Sequence, residues 1–202
     1  MKKFLFFLIV AIIFLSPIMG DNIQVFIGNG YNYNDILKSM INTQYLIGYD
    51  TEKDEYYFFV DQSLTKGFIY FQKEDLLRIR SALQKYLAWE KIAIEKEIKI
   101  TKKIPDSIIT GKLCFSYGDD WYFEDKITLT FTFFSQNANR HQLVMESSKI
   151  KSSENKYINF KVDDIYLDHD HVAAFIEGIS DDSIKKAISD KKKEKESAKL
   201  FQ

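Results

Sequence analysis

Two of the three histidines of the chain lie in the segment Asp168-His169-Asp170-His171. In an extended backbone His169 and His171 would point to the same side, and imidazole together with a carboxylate suits zinc or a similar divalent metal. We therefore predict Asp168, His169 and His171 as candidate metal ligands, which in an enzyme would support metal-assisted attack by water. The alternative is that Asp168 or Asp170 caps a helix starting near His171.

A second candidate site is the segment Gly118-Asp119-Asp120-Trp121-Tyr122, which has the residues of a hairpin tip. Two carboxylates beside two aromatic rings could bind a sugar, a peptide or a calcium ion. Calcium takes about six to eight oxygen ligands, so one acidic pair is too few. We predict Asp119, Asp120, Trp121 and Tyr122 as ligand-binding residues, and the alternative is an ordinary turn with Trp121 folded onto the sheet.

Three single residues are weaker candidates. His141 could act as a base, but no serine or cysteine can be assigned to it from the sequence. Trp89 lies off the apolar stripe of its predicted helix, which favours a core or interface position. Cys114, the only cysteine, lies in an apolar run typical of a strand and is expected to be a buried, inert thiol.

The chain opens with the pattern of an export signal. Lys2 and Lys3 precede an apolar run over residues 4–15, which is shorter than the roughly 20 residues of a membrane-spanning helix. Ser16-Pro17 then interrupts any helix. We predict a signal peptide over residues 1–20, with cleavage after Gly20, and an uncleaved membrane anchor as the alternative.

Charge and cysteine content limit the class of protein. The 28 basic and 29 acidic residues nearly balance, which gives no support to a nucleic-acid surface. A single cysteine excludes an internal disulfide, so the core alone must hold the fold. We expect one domain over residues 21–190 and a charged, solvated tail over residues 191–202.

Apolar spacing predicts the following order of elements. A short strand over residues 23–27 and a turn at Gly28-Asn29-Gly30 come first. A helix over residues 34–46, a hairpin from residues 56–60 and 67–71, a long helix over residues 73–99, four or five strands between residues 112 and 162, and short C-terminal helices follow. The predicted fold is α+β: an antiparallel meander sheet packed on one long helix, with short N-terminal and C-terminal helices.

These patterns favour an exported bacterial protein, periplasmic, envelope-bound or secreted. We expect a non-enzymatic binding module whose partner is a protein, peptide or glycan of the cell envelope, with the membrane contacted only through an uncleaved signal. A metal-dependent hydrolase using residues 168–171 and an envelope immunity or inhibitor protein are the alternatives. No cofactor is expected beyond a divalent metal in the hydrolase case.

Overall fold

A computed structural model of the chain describes residues 22–62 and 65–200. The export signal predicted for residues 1–20 lies outside the described residues, as do the last two residues of the predicted tail. Within the described part, eleven strands and three helices form. None of these helices has both the length and the apolar character that crossing a membrane requires.

The strands and helices alternate unevenly along the chain. The strands are β1 (Asn22–Asn34), β2 (Ser39–Asp50), β3 (Glu55–Gln62), β4 (Thr65–Phe71), β5 (Thr101–Lys103), β6 (Ile109–Tyr117), β7 (Asp120–Asn137), β8 (Arg140–Ser147), β9 (Ile150–Lys151), β10 (Asn159–Phe160) and β11 (Ile165–Leu167). The helices are α1 (Lys73–Glu95), α2 (His169–Gly178) and α3 (Asp181–Lys199).

Eight of these strands form a closed antiparallel barrel. Their order is β7-β6-β4-β3-β2-β1-β11-β8, and β8 pairs back with β7. Closure depends on β7, which is 18 residues long. Its first half pairs with β6 as far as Leu129↔Ile109, and from Leu129 onwards it pairs with β8. The short strand β5 pairs with β7 at residues 132–134.

The predicted meander sheet packed on one long helix is wrong, because the sheet closes on itself. The error begins at residues 34–46, where a helix was expected and β2 forms instead. The carboxamide Oδ1 of Asn34 accepts hydrogen bonds from the N–H groups of Ile36 and Leu37, at 3.0 and 2.8 Å. Such a bond serves a turn as well as a helix start, and Lys38, with φ of 51°, completes the turn.

The turn predicted at Gly28-Asn29-Gly30 is also wrong, since these residues lie inside β1. A Cβ atom on Gly28 would clash with the ring of Tyr45, which is 2% exposed. Glycine within a strand often marks such a close approach of two groups. Gly28 therefore makes room for a buried ring, and it does not reverse the chain.

Apolar and polar residues alternate along the strands, as predicted for β7, and the apolar side chains fill the barrel. Between residues 127 and 133 the inward residues of β7 are at most 5% exposed, whereas Thr128 and Thr130 between them are only half-buried. The core-facing residues of this stretch are Ile127, Leu129, Phe131 and Phe133. They pack in one cluster with the apolar face of α1, whose main members are Leu76, Ile79, Leu83 and Tyr86.

The predicted helices of the second half are present. The long helix α1 ends at Glu95, four residues before the predicted end. Ser180 caps α3 as expected, since its Oγ accepts a hydrogen bond from the N–H of Ser183 at 3.2 Å. α3 continues into the charged run to Lys199, and Ile184 is its buried residue.

Candidate functional site

The predicted metal ligands Asp168, His169 and His171 lie at the start of α2. Asp168 is the N-cap residue and forms a capping box with His171, whose Nδ1 lies 3.4 Å from the Asp168 N–H. The carboxylate of Asp168 also accepts a hydrogen bond from Gln142 Nε2 at 2.7 Å. The His171 ring packs edge-on against Tyr31 with centroids 5.2 Å apart. Asp168 is thus used as a helix cap, which was the alternative considered for it.

His169 points to a different partner, the buried carboxylate of Glu90 on α1. Its Nδ1 lies 2.6 Å from Glu90 Oε2, and Tyr86 donates to the other oxygen at 2.8 Å. The hydrogen bond with Glu90 raises the pKa of His169 above its ordinary value. Burial and the same carboxylate raise the pKa of Tyr86. This three-residue chain ties α1 to α2.

These contacts do not assemble a metal site. Among the described residues, no group of three or more histidine, cysteine, aspartate or glutamate side chains could hold a metal ion. A catalytic metal needs about three protein ligands and partners that orient them. The metal-ligand assignment therefore stays a prediction without a supporting contact.

The sequence could not assign a partner to His141, and the structure places Ser135 beside it. Ser135 Oγ lies 2.8 Å from His141 Nδ1, and His141 Nε2 lies 3.0 Å from the carbonyl oxygen of Ala138. Both side chains are buried, at 2% and 4% exposure. The pair spans the turn between β7 and β8, and its burial makes it a structural link that substrate cannot reach.

The four residues predicted around the hairpin tip separate onto two faces. Gly118, with φ of 62°, and Asp119 form the turn between β6 and β7. Tyr122 points inward and stacks on Phe115 with centroids 5.3 Å apart. Trp121 points outward, with its ring centroid 5.9 Å from that of Phe68. Strand alternation therefore places Trp121 on the outer face and Asp120 on the same side as Tyr122, while Asp119 lies in the exposed turn.

Trp121 adjoins an outer aromatic patch, which we define as Tyr57, Phe59, Phe68, Tyr70 and Trp121. It forms a hydrophobic cluster separate from the barrel core, with Leu46 and Cys114 also in contact. Phe68 lies at its centre, 4.6 Å from the Phe59 centroid and 6.3 Å from the Tyr70 centroid. Two hairpins contribute these rings, β3–β4 and β6–β7, so proximity in sequence could not reveal the patch.

The patch continues as an apolar row across six neighbouring strands. The row follows directly paired residues, namely Ile27, Leu46, Phe59, Phe68, Cys114 and Phe123. Its two ends are open, since Ile27 is 38% exposed and Phe123 is 56% exposed. Five steps of ~4.8 Å between strands make the row about 24 Å wide along the barrel wall.

Cys114 lies within this row and is buried, as its sequence context predicted. Burial raises the pKa of its thiol to about 11. The thiol therefore stays protonated near neutral pH and is a poor nucleophile. Its role in the patch is to fill space between Phe68 and Phe123.

Two lysines beside the patch pair with carboxylates. Lys112 Nζ lies 3.0 Å from Glu55 Oε1, and Lys66 Nζ lies 3.8 Å from Asp61 Oδ2. Lys53 covers the Tyr70 ring at 4.5 Å from its centroid. The patch therefore has an aromatic centre with ion pairs on its rim.

No protein-family model, curated protein or solved structure is similar enough to this chain to count as a match. The proposal of function therefore depends on the chain's own residues and their arrangement.

Proposed function

We propose that this chain is an exported, non-enzymatic binding module of the bacterial envelope that holds a partner protein through the outer aromatic patch. The observation that carries the proposal is a second hydrophobic cluster on the outside of a barrel that already has a complete core. One face of an antiparallel sheet is usually polar where it meets water. Here that face carries aromatic rings from β3, β4 and β7. Tyr57, Phe68 and Tyr70 at the centre are at most 8% exposed, and the apolar row reaches solvent at Ile27 and Phe123.

The shape of the patch favours a macromolecule over a small ligand. Small ligands are held in concave pockets that cover most of their surface, whereas this patch lies on the convex wall of a barrel. A standard protein interface buries roughly 800 Å² on each partner. The apolar row is about 24 Å wide, which is long enough to cross such an interface, and its most exposed residues are Ile27 and Phe123 at the two ends.

The composition of the patch agrees with a protein partner. Tyr, Trp and Phe are enriched at the centres of protein interfaces, where a few aromatic residues contribute most of the binding energy. Charged groups belong at the rim, as the pairs Lys112–Glu55 and Lys66–Asp61 do here. An immunity or inhibitor protein would be one case of this function, and its partner would be the protein it neutralises.

A photo-crosslinking residue placed at position 123 tests the proposal in the native envelope. Phe123 is 56% exposed at the edge of the patch, so the change leaves the core intact. The matched control is the same replacement at Ile108, which is 58% exposed and lies just before β6. We expect one discrete protein adduct from position 123 that disappears when Trp121→Ser is added, and no such adduct from position 108.

Several results would reject the proposal. The absence of any adduct from position 123, or a mixture of products equal to that from position 108, would mean that the patch has no specific partner. An adduct that is removed by glycan-degrading enzymes, and resists protease, would identify a glycan ligand in place of a protein.

A further inference from the structure

A pocket of about 270 Å³ opens beside Trp89, away from the outer aromatic patch. It lies where the end of α1, residues 96–100, β5 and β7 meet. At ~30 Å³ for each water molecule it holds about nine waters, which is space for a small molecule of roughly ten heavy atoms. The residues that line it are Trp89, Ile92, Ala93, Ile98, Ile100, Lys102 and Phe133.

The walls of this pocket are fixed by the backbone. Glu97 has a φ of 52°, and the Ile98 N–H donates to the carbonyl of Ala93 at 2.8 Å, so the chain turns sharply at the end of α1. The carbonyl of Ile100 accepts a hydrogen bond from the Ser135 N–H at 3.0 Å. The pocket is therefore preformed, and binding of a ligand would not carry the entropic cost of ordering a loop.

The pocket exposes apolar surface that the fold does not bury. Ile92, Ile98 and Ile100 are 47%, 39% and 44% exposed. Single exposed apolar residues are common, but a group lining one concavity is typical of a binding site. Phe133 forms the inner wall at 1% exposure, and its ring meets that of Trp89 edge-on with centroids 6.1 Å apart.

Lys102 lines the pocket, and Lys85 lies near the Trp89 ring outside that lining. The Nζ atoms of Lys102 and Lys85 lie 5.4 and 5.7 Å from the Trp89 ring centroid. Within the described residues, neither lysine has a carboxylate within 4.0 Å. Two ammonium groups beside one aromatic wall attract an anion and repel a cation.

We infer that the Trp89 pocket binds a small anionic amphiphile of roughly ten heavy atoms in all, with an apolar body and a carboxylate head. The body packs between Trp89, Phe133 and the isoleucine side chains, and the head accepts hydrogen bonds from Lys102 and Lys85. This site is independent of the outer aromatic patch, and so it stands whether or not that patch binds a protein.

Octanoate is a probe of suitable size, and octanol and octylammonium are its neutral and cationic counterparts. In the Trp121→Phe variant, Trp89 is the only tryptophan, so its fluorescence reports directly on the pocket. We expect saturable binding of octanoate, binding of octanol weaker by about tenfold, and no saturable binding of octylammonium. Calorimetry on the unmodified protein provides the same comparison without any substitution.

Charge removal separates the role of the lysines from general apolar binding. The Lys85→Gln, Lys102→Gln double variant should weaken octanoate by about tenfold and leave octanol unchanged. Lys103→Gln is the matched control, since Lys103 is exposed on β5 and points to the opposite side from Lys102. It should leave the affinity for octanoate unchanged.

Three outcomes would overturn the inference. Octylammonium binding as tightly as octanoate would show that charge does not select the ligand. No saturable binding of any of the three probes would show that the pocket is not a site. Binding to phosphatidylglycerol vesicles, with no response to free octanoate, would assign this face to a membrane surface in place of a free amphiphile.

Discussion

Trp121 and Trp89 are the two tryptophans of the chain, and they lie at surfaces of opposite shape. Trp121 belongs to an aromatic patch on the convex wall of the barrel, where rings from two hairpins cover one another. Trp89 borders a concave pocket of about 270 Å³ whose apolar walls stay partly exposed. A convex patch offers area to a large partner, whereas a pocket can surround a small one.

The charges near the two rings differ as well. Around the patch, Lys112 and Lys66 each pair with a carboxylate. Beside the pocket, Lys85 and Lys102 face the Trp89 ring with no carboxylate within 4.0 Å among the residues described. Ion pairs therefore lie on the rim around Trp121, whereas two lysines lie over the ring of Trp89.

The largest effect should come from substitution of the pocket wall, whereas substitution of the patch edge on the same strand should have little effect. Phe133→Ala removes a ring that is 1% exposed and touches Tyr86, Trp89 and His141. It should lower the free energy of unfolding by about 3–5 kcal/mol. Phe123→Ala, at the open edge of the patch, should change it by no more than about 0.5 kcal/mol.

Denaturant unfolding monitored by circular dichroism measures both variants. Equal losses for Phe133→Ala and Phe123→Ala would mean that the patch is part of the folding core. In that case the patch would no longer be a surface free to bind a partner.

A smaller effect on stability is expected from Glu90, which is next to Trp89 but does not line the pocket. Glu90 faces away from the pocket towards His169, and this contact raises the pKa of His169. Because folding raises that pKa, the stabilisation is complete below the unfolded value of about 6.5. It is lost as the pH rises through the higher folded-state value. The His169 side chain is 62% exposed, so the change is modest.

Unfolding curves of the unmodified protein and of His169→Gln, measured across this pH range, check the prediction. The unmodified protein should lose stability relative to the variant as the pH rises. Parallel pH profiles would show that the Glu90–His169 contact does not form in solution. Octanoate binding should be the same in both proteins, because Glu90 lies outside the pocket lining.

Local patterns predicted the elements that depend on local contacts. The hairpin of β3 and β4, the alternation in β7 and the cap at Ser180 all follow from neighbouring residues. The helix expected over residues 34–46 failed because Asn34 can start a turn as readily as a helix. Pairing of β2 with both β1 and β3 then decides for a strand.

Barrel closure and both tryptophan surfaces depend on contacts that are distant in sequence. The pairing of Leu167 with Leu143 brings β11 beside β8, and no short sequence pattern predicts this pairing. Trp121 was recognised as a candidate from its own hairpin, but its neighbours Phe59 and Phe68 come from another one. The predicted helix over residues 73–99 included residues 96–99. In the structure the chain instead turns after Glu95, and these residues form one side of the pocket.

Fluorine NMR of the protein labelled with fluorotryptophan tests most directly whether the two surfaces bind independently. The labelled chain has two tryptophans and should give two resonances, which the Trp121→Phe variant assigns. Octanoate should shift the Trp89 resonance in a saturable manner and leave the Trp121 resonance in place. A shift of Trp121 alone, equal shifts of both resonances, or no shift of either would contradict a distinct anion-selective pocket at Trp89.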